Sequence, residues 1–120
     1  MTGRCVMVVD DDDEIREALS DVLGDEGYEV VGARDGRQAL ERLQAGMRPA
    51  AILLDLWMPV MDGWQLRHEL LTDAELADIP VIVLTAVRDQ RAQGLRVAEV
   101  LTKPIRLEHL LGALSKVVTA

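Results

Sequence analysis

Five apolar runs of strand length recur along the chain, at Cys5–Val9, Tyr28–Ala33, Ala50–Leu54, Val81–Leu84 and Ala98–Leu101, and each gap between them is long enough for a helix. The runs are near-continuous rather than alternating, the pattern of strands buried on both faces. A β-α-β alternation of this kind predicts a parallel sheet covered on both sides, its strands joined by right-handed crossovers. The chain has 120 residues, room for one buried core and not two, so residues 1–120 are expected to form a single domain. With no Phe, two Trp and one Tyr, that core should be aliphatic.

The connecting segments carry helix signals. The first puts Ile15, Leu19, Val22 and Leu23 on one face, with Asp12 or Asp13 as its cap and Gly24 and Gly27 bracketing its end. Asp35-Gly36 opens a second helix, with Ala39, Leu40 and Leu43, that stops at Gly46; Asp62-Gly63 opens a third, with Leu66 and Leu70. Leu107, Leu110, Leu111, Leu114 and Val118 mark the last. The fourth segment, Val87 to Arg96, is the weakest: it carries four charges, only Val87 and Leu95 as large apolar residues, and Gly94 in its middle.

Thirteen basic and 21 acidic residues give a formal charge of −8, which disfavours nucleic acid backbones and anionic membranes as partners. Cys5 is the only cysteine, so no intrachain disulfide can form and a reducing compartment is expected; it reads as a small apolar residue opening the first strand. The N-terminus lacks the apolar stretch of a signal peptide, and no apolar run approaches the ~20 residues of a membrane span. A soluble cytoplasmic protein is expected.

Ligands of open parallel sheets bind beyond the carboxyl ends of the strands. There the sequence places Asp10 and Asp11 after strand one, Asp55 after strand three, Thr85 after strand four and Lys103 after strand five. If strands one and three are neighbours, three carboxylates converge, and their repulsion is costly unless a cation or a proton intervenes. Hard oxygen ligands at this density suit Mg²⁺, which keeps waters and leaves room for a phosphate oxygen. Singly, each residue is weak evidence; an Asp run is more often a solvated turn. Their common sheet edge is what distinguishes them.

Four motifs in register carry a family resemblance: Val8-Val9-Asp10-Asp11-Asp12, the run from Leu53-Leu54-Asp55 through Trp57-Met58-Pro59 to Met61-Asp62-Gly63, Val83-Leu84-Thr85-Ala86, and Leu101-Thr102-Lys103-Pro104. Together they resemble the receiver domains of bacterial two-component response regulators over essentially the whole chain. The resemblance implies a doubly wound, flavodoxin-like sheet in the order 2-1-3-4-5 and a phosphorelay switch rather than an enzyme acting on outside substrates. It makes Asp55 the phospho-acceptor and gives Mg²⁺ to Asp10, Asp11, Asp55 and the Trp57 backbone carbonyl. Lys103 pairs with Asp55 and then with the phosphoryl group, Thr85 offers it a hydroxyl, and Lys103-Pro104 corresponds to the family's cis peptide, a form proline tolerates. The implied partners are a histidine kinase or a histidine-containing phosphotransfer protein and a downstream protein, for a monomer or weak homodimer. The acyl phosphate is expected to hydrolyse slowly.

Two departures from the family pattern stand out. The family's aromatic switch position on strand five is Val100, and Thr85 and Lys103 are 103 − 85 = 18 residues apart, about one helical turn short, so the fourth helix is expected to be short or distorted. Both fall on the surface the family uses for output or dimerisation. Trp57, beside the acceptor, either shields the acyl phosphate or packs against the loop or a partner; Trp64, His68 and His109 read as ordinary helix residues. A haloacid dehalogenase-type phosphohydrolase would need a second Asp where Trp57 stands. A nucleotide or flavin binder would need a Gly-rich first turn. A phosphorylation-independent pseudo-receiver stays open. Ending at Ala120, the chain is expected to carry no output domain, as a free-standing regulator or the receiver segment of a hybrid kinase.

Overall fold

The computed structural model of the chain describes residues 4–56, 61–85 and 97–118. Trp57 and the segment from Val87 to Arg96 lie outside them. The described strands are β1 (Cys5–Val9), β2 (Glu29–Ala33), β3 (Ala51–Asp55), β4 (Val81–Thr85) and β5 (Glu99–Thr102). The helices among the described residues are α1 (Asp13–Asp25), α2 (Gly36–Gln44), α3 (Gly63–Leu71) and α4 (Leu107–Val117). All strand pairs are parallel, in the order β2-β1-β3-β4-β5.

Every residue of β1, β3 and β4 is buried, which explains their unbroken apolar runs; the edge strands β2 and β5 open on Glu29 and Glu99 and are only partly covered. Successive side chains still alternate between faces. Met7, Val9, Ile52, Leu54 and Val83 pack under Ala39 and Leu43 of α2 and Leu66 and Leu70 of α3. Val6, Val8, Leu53, Ile82 and Leu84 pack under Leu23 of α1 and Leu110 and Leu114 of α4. The core is aliphatic as expected, with Tyr28 at its margin beneath the guanidinium of Arg4. Cys5 is buried, and desolvation, with Glu29 nearby, pushes its thiol pKa up.

Local chemistry sets the helix ends. The Asp12 side chain caps α1 by accepting from the amides of Glu14 and Ile15, and Asp13 and Glu14 complement the positive end of the helix. The helix runs one residue past Gly24; the left-handed residue after it is Gly27, at φ 92°. Asp35 caps α2, and Asp62 and Gln65 form a reciprocal capping box on α3. Two apolar stripes are only partly covered. Ile15, Leu19 and Val22 are half-buried, and Leu107 is 42% exposed, because α1 and α4 leave a groove between them. No helix among the described residues is long and apolar enough to cross a membrane.

Leu54 lies at the middle of the α2/α3 side of the sheet with no solvent exposure. Leu54→Ala is expected to lower unfolding free energy by about 2–5 kcal/mol, measured by urea denaturation.

Candidate phospho-acceptor site

Register brings the acidic residues together. Val9 of β1 pairs with Leu54 of β3, so Asp10 and Asp55 emerge side by side at the carboxyl edge of the sheet. Asp55 in turn pairs with Leu84, placing Thr85 one step further along, and Thr85 pairs with Thr102. The main-chain amide of Lys103 donates to the Thr85 carbonyl at 2.7 Å, which fixes the start of the Lys103 side chain.

The carboxylates of Asp10, Asp11 and Asp55 each offer an oxygen within 4.8 Å of the others. Asp10 and Asp55 are 2% and 7% exposed, while Asp11 faces solvent. Lys103 Nζ lies 3.3 Å from Asp10 Oδ2 and 3.7 Å from Asp55 Oδ2. One ammonium against three carboxylates leaves negative charge that a small divalent cation would balance, and an all-oxygen donor set with one open side is what such a cation takes. The residues present therefore fit a hard divalent ion.

Of the residues picked out in the sequence, Asp10, Asp11, Asp55 and Lys103 meet in one place, with Thr85, 1% exposed, at the adjoining strand end. The Lys103–Pro104 peptide is cis. Val100 is half-buried and packs on the α2/α3 side of the core; it pairs with Val83 and lies three residues before Lys103. Trp64 is half-buried against the same core, and His68 and His109 are exposed.

Three supporting contacts were not read from the sequence. The Asp12 amide donates to Asp10 Oδ1 at 2.9 Å, and Arg16 reaches the Asp10 carbonyl. Gly63 donates to the Leu56 carbonyl at 2.9 Å and lies so close to β3 that a Cβ would fall 2.8 Å from the Asp55 carbonyl oxygen. Only the Asp62-Gly63 helix-start signal hinted at the last.

The chain matches the response regulator receiver domain family over residues 6–115. It belongs to that family. Among curated proteins it is 43% identical over 111 residues to response regulator MprA of Mycolicibacterium vanbaalenii, covering 88% of this chain and 46% of that protein. The chain thus spans about half the length of the curated relatives it matches. Among solved structures it resembles a response regulator receiver protein from Pseudomonas putida, with a TM-score of 0.88, 30% identity, and 97% and 98% of the two chains covered. The signal receiver domain of a signal transduction histidine kinase from Syntrophus aciditrophicus gives 0.87 at 30% identity, over 95% and 89%. Response regulator TrrA of Thermotoga maritima, solved in complex with Mg²⁺-BeF, gives 0.82 at 29%, over 95% and 98%.

Gly63→Ala should force α3 away from β3. The expected loss is about 1–3 kcal/mol of stability by thermal denaturation, with a displaced Asp55 amide resonance in the NMR spectrum.

Proposed function

We propose that this receiver domain is a phosphorylation-operated switch in which Asp55 accepts a phosphoryl group from a phosphohistidine donor at a Mg²⁺-binding site and later yields it to water. The observation that supports this reading is the meeting of Asp10, Asp11 and Asp55 within 4.8 Å with Lys103 Nζ 3.7 Å from the acceptor carboxylate.

In this reading an Asp55 oxygen attacks phosphorus in line, and the P–N bond to the donor imidazole breaks with the electron pair leaving on nitrogen, which is protonated. Phosphoryl transfer passes through a loose transition state, so positioning and charge neutralisation supply most of the acceleration. Held by Asp10, Asp11, Asp55 and the Trp57 carbonyl, Mg²⁺ would supply positive charge to the phosphoryl oxygens. Lys103 exchanges its contact with the Asp55 carboxylate for one with the phosphoryl group, and the Thr85 hydroxyl donates to another of its oxygens. Near-complete burial of Asp10 and Thr85 keeps these groups in a medium where each interaction counts for more than in water. Reset follows the same geometry with water as the attacking group. Val100 stands where the family carries an aromatic, so the Thr85 movement would be transmitted through a small aliphatic contact.

A donor protein must bring its histidine to Asp55. Ile15, Leu19, Leu84, Pro104 and Ile105 line an apolar groove of about 270 Å³ between α1 and the segment that follows β5, and Lys103 is part of its lining. Because Lys103 belongs to both groove and site, an apolar helix face seated there would present a neighbouring histidine to the acceptor.

Incubation with acetyl phosphate and Mg²⁺ should add one phosphoryl group by intact mass; chelation or Asp55→Asn should abolish it, and Lys103→Ala should slow it by about 10²-fold. No phosphoryl gain with acetyl phosphate or a cognate kinase, together with no binding of beryllofluoride, would favour a phosphorylation-independent interaction module. Ile15→Glu is expected to retain acetyl phosphate labelling while losing transfer from the phosphorylated kinase, measured by loss of label from the donor.

A further inference from the structure

Arg16 takes no part in the phosphoryl chemistry above, yet its guanidinium reaches the residue at the centre of the acidic cluster. Its Nη1 donates to the main-chain carbonyl of Asp10 at 2.6 Å, and its Nη2 pairs with the Asp13 carboxylate. The side chain is only 20% exposed, and its Cδ lies 3.6 Å from where a Cβ on Gly32 of β2 would stand. The arginine stem thus lies alongside β2, within van der Waals reach of a Cβ at that point.

The carbonyl it binds is one the sheet leaves over. The Asp10 amide donates to the Ala33 carbonyl at 3.1 Å, but β2 ends at Ala33 and Asp35 turns to cap α2, so the next amide of a parallel ladder is not offered to Asp10. Arg16, one turn into α1, supplies the donor instead. Asp10 is then held at its amide by Ala33, at its carbonyl by Arg16 and at Oδ1 by the Asp12 amide, while Oδ2 faces Lys103.

We infer that Arg16 is a positioning residue for the cation site: by fixing the peptide that follows β1, it keeps the Asp10 carboxylate aimed into the cluster. This rests on the reading of Asp10, Asp11 and Asp55 as a Mg²⁺ site. A planar fork can bond Asp10 and Asp13 at once, whereas a lysine ammonium keeps the charge and loses that geometry.

The test is Mn²⁺ binding followed by loss of the free-ion electron paramagnetic resonance signal, with Mg²⁺ as competitor and thermal midpoints recorded alongside. Arg16→Lys and Arg16→Met are each expected to weaken binding of both ions by about tenfold, the effect of losing an outer partner of a metal ligand. Asp13→Asn, which leaves the Arg16–Asp10 bond in place, should stay within about twofold, as for an exposed charge. Wild-type affinity in folded Arg16→Lys would overturn the inference. That variant carries the test if Arg16→Met does not fold. A wild-type protein that binds neither ion would instead overturn the underlying reading of the site.

Discussion

Three carboxylates held within 4.8 Å of one another repel, and the fold has to hold them there. That constraint organises the carboxyl edge of the sheet. Asp10 and Asp55 are brought together by the β1–β3 register, which is itself locked by aliphatic side chains on both faces. A one-residue slip in either strand would turn those side chains to the wrong layer, so apolar burial is what resists the electrostatic strain. Lys103 offsets part of the repulsion, and a divalent cation would offset more.

The division of labour between the two layers follows from the same arrangement. On one face α2 and α3 cover the sheet closely and Gly63 brings the start of α3 against the Asp55 backbone. On the other, α1 and α4 stand further apart and leave apolar side chains half-covered beside Lys103. One layer supports β3; the other leaves the carboxyl edge of the sheet beside Lys103 approachable.

Much of this was legible in the sequence because it depends on local signals. Unbroken aliphatic runs marked β1, β3 and β4, Asp12, Asp35 and Asp62 marked helix starts, and the strand ends located Asp10, Asp55, Thr85 and Lys103. The contacts that were not legible join residues whose relation depends on three-dimensional closeness. Nothing in the spacing of Arg16 within α1 revealed the leftover carbonyl of Asp10. Likewise, the stripe of Ile15, Leu19 and Val22 marked an inward face but not its half-burial, because periodicity tells which face turns inward and not how far the next helix stands off.

Gly36 shows what such a hidden contact entails. Its amide donates to the Met61 carbonyl at 2.9 Å, and a Cβ there would stand only 2.5 Å from that oxygen. The first turn of α2 is thereby tied to Met61, the residue just before the α3 cap Asp62. A single main-chain proton therefore registers whether the two segments are joined: its exchange with deuterium reports the opening of that tie directly, and the protein carries its own label for opening between α2 and the start of α3.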